Sequence, residues 1–202
     1  MLSSEQLPTH SAILQLREEQ GVISEAYDFL DEKRLLLAAE LLRQLQRYED
    51  LLADYELLRL QAQQALAATV RRHGLQGTHV YPAHYLEECQ IQSTRRSFMG
   101  VTLTVTELLM DDRSSPAQVS HPSPEAEHCR TLFLELVDKA TVLAGVSGNL
   151  YRLFTEYRRT ERRARALENV VLPELKQLLR DMSNQLEEMD QEDIIRMHLK
   201  HG

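Results

Sequence analysis

The sequence predicts a mainly α fold, in which a long antiparallel two-helix coiled coil, formed by N- and C-terminal helices, carries a small central head containing a β-hairpin. Three observations lead there. A seven-residue apolar repeat runs through the first part of the chain, a second begins after Pro124, and a short alternating β-branched run lies between them. Two helices of nearly matched length, joined at one end, pair antiparallel as a helical hairpin. The pattern sets the N-terminal coiled-coil helix at 1–73, the head with its hairpin and a polar loop at 74–124, and the C-terminal coiled-coil helix and tail at 125–202, as one continuous domain.

The first helix starts at Pro8-Thr9, with Thr9 as its cap or Pro8 in its first turn. From there to Arg72 the chain holds no proline and one glycine, Gly21. Leu16, Ile23, Leu30, Leu37, Leu51 and Leu58 keep a strict heptad spacing that only Gln44 interrupts. A second row, Ile13, Tyr27, Leu41, Tyr48 and Tyr55, alternates with it, with Gln20 and Arg34 as polar members. About 60 residues of helix span about 90 Å, too long for the interior of an ordinary globule. Gly74, Gly77 and Pro82 then break the pattern.

In the head, 101–106 alternates apolar and polar residues, as a strand with one buried face does. Its partner strand is expected between His84 and Ser93, with Gly100 near a turn or bulge. The polar, proline-bearing segment 111–124 reads as a loop. Beyond it Leu136, Leu143, Leu150, Tyr157, Ala164, Val171 and Leu178 repeat every seven residues, with Ala140, Phe154, Leu175, Met182 and Met189 as the second row. Gly145 and Gly148 weaken this helix locally, where a kink is admissible. Pro173 interrupts the seam within 160–179; it removes one backbone hydrogen bond and is expected to bend the helix.

Composition narrows the function. Across 202 residues the net charge is −8, which speaks against nucleic acid as the main partner, since phosphate binding needs a basic footprint. Aromatics make up 5%, suiting long helices rather than a thick core. With no run of about 18 apolar residues and no signal peptide, the chain is expected to be soluble and intracellular. Cys89 and Cys129 lie far apart without a CxxC pattern and read as free thiols. The histidines show no zinc-type spacing, and no glycine-rich phosphate loop exists, so no metal, cofactor or nucleotide is expected. Met182, Met189 and Met197 read as seam filler, and the acidic run 187–193 as a solvated surface. No carboxylate has a positioned His, Ser or Cys neighbour, so the chain is not expected to be an enzyme.

Three motifs in order carry a resemblance. Pro8-Thr9, Leu14, Leu16, Leu30 and Glu32-Lys33-Arg34 stand at the start; Phe98, Met99, Gly100 and Val101 in the middle; Thr160, Arg162, Arg163, Ala166-Leu167-Glu168, Val170-Val171 and Pro173 near the end. Together they resemble the D subunit of the V-type and archaeal-type (V/A) ATPases and ATP synthases, the central-stalk rotor subunit, over most of the chain. The segment 187–196 resembles that family's acidic tail. Glu18, Glu19, Gln20, Ala26, Arg165, Glu174 and Ile194-Ile195 depart from the family's pattern, as a divergent branch would.

The resemblance implies a rotor shaft that couples ATP hydrolysis or synthesis to ion translocation by a membrane ring. The implied partners are a hexamer of catalytic and non-catalytic nucleotide-binding subunits, the small F subunit of the stalk, and a funnel-shaped subunit on the membrane rotor ring. It places the chain in the cytoplasm, peripheral to the membrane in the soluble sector, without membrane insertion. Arg162, Arg163, Glu168 and Pro173 become possible hexamer contacts, and Phe98, Met99, Gly100 and Val101 possible head or partner contacts. On composition alone the arginines of 158–165 also fit an ordinary solvated face. Two rival readings keep the coiled coil: a stalk protein of a type III secretion or flagellar ATPase, and a scaffold that spaces two partners. The first lacks a comparable head, and the second leaves the β-bearing insert and the seam proline unexplained.

Overall fold

The computed structural model describes residues 9–80, 89–109 and 123–200. The elements follow in the order α1 (His10–Val80), β1 (Gln90–Phe98), β2 (Val101–Leu109), α2 (Pro124–Ala166), a π-helical turn (Leu167–Val171) and α3 (Leu172–Lys200). The chain divides into two compact units, one formed by 1–36 with 157–202 and the other by 37–156. In each, the N-terminal helix and the C-terminal helical segments pair antiparallel.

Local chemistry starts both long helices. Thr9 caps α1: its Oγ1 accepts the Ala12 N–H at 3.2 Å, and its carbonyl takes the Ile13 N–H at 3.1 Å. Ser123 does the same for α2, its carbonyl accepting from Glu127 at 3.0 Å. Pro124 follows in the first turn, where its missing N–H costs nothing, and Glu125 and Glu127 complement the helix dipole. Gly74 interrupts α1 with φ 68° and ψ 170°, as its glycine suggests, yet the helix resumes to Val80 beyond the kink. Pro82 and 111–122 lie outside the described residues.

In the first unit, Ile13 and Leu16 of α1 bury against Leu175, Leu179 and Met182 of α3. Val171 and Leu178 flank this cluster. The second unit buries Leu58, Ala62 and Ala65 of α1 against Cys129 and Leu132 of α2. Cys89 and Cys129 are both free thiols. Outside these clusters Arg72 joins Glu125 at 2.5 Å and Lys139 joins Asp54 at 3.2 Å, in keeping with the antiparallel register.

The hairpin differs from expectation at one strand. The partner of β2 is 90–98 rather than 84–93, because the connection is the two-residue turn Met99-Gly100, with Phe98 facing Val101 and Gln90 facing Leu109. So tight a turn places the partner strand immediately before Met99. Both turn residues have positive φ, 49° at Met99 and 82° at Gly100, which matches the right-handed twist of the strands. Gly100 takes this without cost; Met99 does not. On β2, Val101 and Leu103 are buried, whereas Val105 is half-open to solvent.

α2 runs straight through Gly145 and Gly148 without a break. Gly145 serves contact instead: a Cβ placed there would lie 2.2 Å from Thr106 Oγ1. Glycine thus lets β2 lie directly on the helix backbone.

Candidate functional site

Two places concentrate the chemistry, one in each unit. In the first unit it is the π turn. An α-helical Pro173 would present no N–H to the Asn169 carbonyl and would press its ring against that carbonyl. The helix answers by widening: the Leu172 N–H donates to the Leu167 oxygen, five residues back. The bend expected from Pro173 therefore takes the form of a π turn. None of its residues is buried.

Glu168, on this turn, lies near the Tyr27 hydroxyl of α1, close enough for its charge to act on it. Partial burial and then the Glu168 carboxylate hold that hydroxyl's pKa above its ordinary value. Arg162 and Arg163 are exposed one turn earlier. Arg162 touches only the Arg158 carbonyl, at 3.4 Å, and Arg163 meets no carboxylate among the described residues. Arg165 is occupied by Glu161 at 2.7 Å. The turn thus presents two unneutralised guanidinium groups beside an irregular stretch of backbone.

In the second unit the site is the seat of the hairpin. Asn149 of α2 is 5% exposed and acts toward β2 as a strand would. Its Oδ1 accepts the Thr104 N–H and its Nδ2 donates to the Thr104 carbonyl, both at 2.8 Å. Thr106 Oγ1 donates to the Thr141 carbonyl at 2.7 Å. From α1, Glu40 is 8% exposed and accepts a bidentate pair from Arg43 and a bond from Gln44 Nε2. Arg96 of β1 reaches the same carboxylate at 3.0 Å. Hydrogen bonding by Arg43, and then by Gln44, outweighs desolvation and keeps the Glu40 carboxyl below its usual range. The same contact holds Arg43 above its own. The hairpin is thus tied to α2 by its backbone and to α1 by charge.

The residues singled out in the sequence fall as follows. Leu16, Leu37, Leu58 and Ala164 are buried, and Ile23, Leu30, Leu51, Leu143, Leu150, Tyr157, Val171 and Leu178 are half-buried. Deepest on α2 is another row, Val146, Leu153 and Thr160, each three residues beyond a heptad position. Phe154 and Met189 of the expected second row are 49% exposed. A heptad admits a partner at three or four residues, and Leu153-Phe154 offers an apolar side chain at both. Glu168 and Pro173 are exposed on or next to the π turn, while Met99 and Gly100 form the exposed tip of the hairpin. Glu40, Gln44, Arg96 and Asn149 escaped sequence reasoning. The signal for Gln44 was present, since it is the one break in the N-terminal heptad row.

Among the described residues no helix is long and apolar enough to cross a membrane, and no cluster of His, Cys, Asp and Glu could hold a metal ion.

Comparison with known proteins agrees with this architecture. The D subunit of the V-type ATP synthase of Thermotoga neapolitana is 23% identical over 194 residues, covering 94% of both chains. The D subunit of the A-type ATP synthase of Archaeoglobus fulgidus is 28% identical over 198 residues, covering 94% of this chain and 93% of its own. That of Methanopyrus kandleri is 25% identical over 192 residues, covering 94% and 83%. The sequence pattern of the family described as the D subunit of ATP synthase matches residues 12–200, nearly the whole chain. With its helix pairs, its hairpin and a match of that extent, the chain belongs to the family of ATP synthase D subunits.

Proposed function

We propose that the chain is the central rotor shaft of a V/A-type rotary ATPase or ATP synthase, a non-catalytic subunit that couples nucleotide turnover in a surrounding hexamer to ion translocation by a membrane ring. The family match over 12–200 carries this reading, and relatives spanning the same length are named as D subunits of V-type and A-type ATP synthases. The shaft works from the cytoplasm as a peripheral subunit. Its partners are the nucleotide-binding hexamer, the small F subunit and the funnel-shaped subunit on the membrane ring.

In this role the π turn supplies asymmetry. An irregular turn on one helix of an antiparallel pair makes the shaft's surface differ from side to side. A shaft that presses unequally on three otherwise equal catalytic sites biases which site is occupied and which is open; this is coupling through population shift. Arg162 and Arg163 face acidic loops of the ring, with Glu168 and Pro173 shaping the same contact. The exposed hairpin tip, Met99 and Gly100, faces a stalk partner, while Phe98 is half-buried and Val101 buried. Met99 supports this, because a non-glycine residue at φ 49° and 40% exposed is held in a disfavoured conformation at a surface.

Reconstitution tests the reading. The purified chain, with and without the small F subunit, is mixed with its cognate hexamer, and co-elution and ATP hydrolysis are followed. One copy per hexamer with altered hydrolysis is expected. A chain that never joins the hexamer would return it to the class of scaffolds.

A further inference from the structure

The hairpin has one edge that the unit formed by 37–156 uses and one that it leaves open. With Phe98 facing Val101 across a two-residue turn, the pairs 98/101, 96/103, 94/105, 92/107 and 90/109 exchange backbone hydrogen bonds. The residues between them turn their N–H and C=O outward. On β2 the outward edge meets α2, where Asn149 takes both groups of Thr104 at 2.8 Å. On β1 the outward groups belong to Ile91, Ser93, Arg95 and Ser97, and they point the opposite way, away from Asn149. All of these residues are exposed, and their outward groups have no partner among the described residues. The hairpin thus stands on its β2 edge, with the β1 edge as its crest. We propose that the β1 edge takes up a third strand, an extended acidic segment of a partner protein.

Proteins commonly blunt such an edge with proline, a bulge or brevity. β1 is nine residues long, keeps an unbroken register and holds no proline. What it carries is charge: Arg95 and Arg96, with no acidic residue, in a chain of net charge −8. Glu40 takes Arg96 at 3.0 Å. Arg95 is exposed and meets no carboxylate among the described residues. It stands opposite Thr104, whose Oγ1 accepts from Arg152 at 2.5 Å. Arg152 is therefore a second guanidinium on this face of the hairpin, and it too has no carboxylate among the described residues. A second copy of the chain fits poorly, since full antiparallel overlap of two β1 strands sets Arg95 of each diagonal to Arg95 of the other. A carboxylate opposite Arg95 fits well. On the same face Ile91 is 65% exposed, beside Val137, Ala140 and Ala144 of α2, where an apolar side chain is covered. The segment that matches β1 in antiparallel sense thus places a carboxylate opposite Arg95 and, further along, an apolar residue opposite Ile91. Main-chain bonds to the open edge supply affinity, and these alternate side chains select the partner.

The site stands on the hairpin alone, and nothing in it depends on the rotor reading. The test uses the full chain with a capped, fluorescent peptide, TTETVTVT, whose glutamate and two valines take the places opposite Arg95, Ser93 and Ile91. Anisotropy follows binding, and NMR follows the backbone amides. The peptide is expected to bind saturably and to shift the amides of Ile91, Ser93, Arg95 and Ser97 most. N-methylation of its glutamate and valines blocks the pairing amides and should abolish binding. The same peptide with lysine in place of glutamate should bind more weakly. Arg95→Gln should weaken the glutamate peptide about two- to fivefold. Ser93→Pro removes an outward N–H at a position where an edge strand accepts proline, and should abolish binding while the Thr104 amide keeps its shift. Sedimentation of the chain alone should find no dimer formed through this edge. Absence of binding, equal binding of the N-methylated or lysine peptide, full retention in Arg95→Gln or Ser93→Pro, or a dimer that Ser93→Pro dissolves would each overturn the proposal.

Discussion

Replacing Gly145 by alanine should unseat the hairpin, although the same change is favourable in most helices. In an exposed helix interior, glycine to alanine stabilises by about 0.5–1 kcal/mol. At Gly145 the new methyl would lie 2.2 Å from Thr106 Oγ1 and 3.2 Å from both Thr106 Cβ and Cγ2. A branched side chain cannot clear such a contact by rotation alone, so β2 must lift away from α2. That movement sacrifices the 2.7 Å bond from Thr106 to the Thr141 carbonyl, worth about 1 kcal/mol. Overpacking adds about 1–3 kcal/mol. The balance is a net destabilisation of roughly 1–3 kcal/mol, set against the propensity gain.

Gly148 supplies the internal control. A methyl there meets nothing closer than the end of the Arg152 side chain at 3.4 Å, so Gly148→Ala should stabilise by up to about 1 kcal/mol. Urea unfolding followed by circular dichroism resolves the pair, since a difference of about 2 kcal/mol moves the midpoint by roughly 1 M. In a Thr106→Ala background most of the Gly145→Ala penalty should vanish, giving a coupling energy within about 0.5–3 kcal/mol. A Gly145→Ala chain as stable as Gly148→Ala, or a penalty undiminished without the threonine side chain, would refute this seating of β2 on α2.

Further expectations concern charge, the turn and the shaft. Glu40→Gln should destabilise the chain by about 1–3 kcal/mol, because it removes the negative charge and one of the two acceptor oxygens that Arg43, Gln44 and Arg96 share. Glu40 is depressed in the folded state, so its contribution is complete above the ordinary carboxylate range and is lost as pH falls through its lowered value. Parent and variant should therefore converge in acid-unfolding profiles only below the ordinary carboxylate range, once the lowered Glu40 carboxyl is itself protonated. Met99→Gly should stabilise the isolated chain by about 1 kcal/mol in chemical denaturation, by relieving the positive φ. Glu168→Gln should lower the ionisation pH of Tyr27, read by NMR titration of its ring, since the carboxylate holds it up. Pro173→Ala restores the missing N–H, should convert the π turn to α-helix, and should lower ion pumping per ATP hydrolysed in reconstituted vesicles; unchanged pumping would count against the asymmetry argument.

Much of this architecture was legible in the sequence because periodicity reports directly on helix faces. The heptad row through Leu16, Leu37 and Leu58 needed no structure, nor did the turn at Gly100 or the interruption at Gly74. What escaped has a common cause. Contacts between the hairpin and the helices join residues far apart in the chain, such as Arg96 with Glu40 and Thr104 with Asn149, and no local pattern encodes them. Gln44 looked like a defect in the seam and is a buried ligand of Glu40. Gly145 looked like a weak point in a helix and is a point of close approach. Pro173 announced a disturbance, and in the structure it emerges as a π turn whose Leu172 N–H reaches back to the Leu167 oxygen.

The most direct measurement of the central claim is rotation. Ser93 is exposed on β1; Ser93→Cys in a Cys89→Ser background gives an attachment point for a bead, with Cys129 buried. The reconstituted complex is immobilised through its nucleotide-binding subunits and observed as ATP is added. A rotor shaft predicts sustained turning in one direction whose rate follows ATP concentration. A bead that stays bound and only fluctuates while the hexamer hydrolyses ATP would contradict the account.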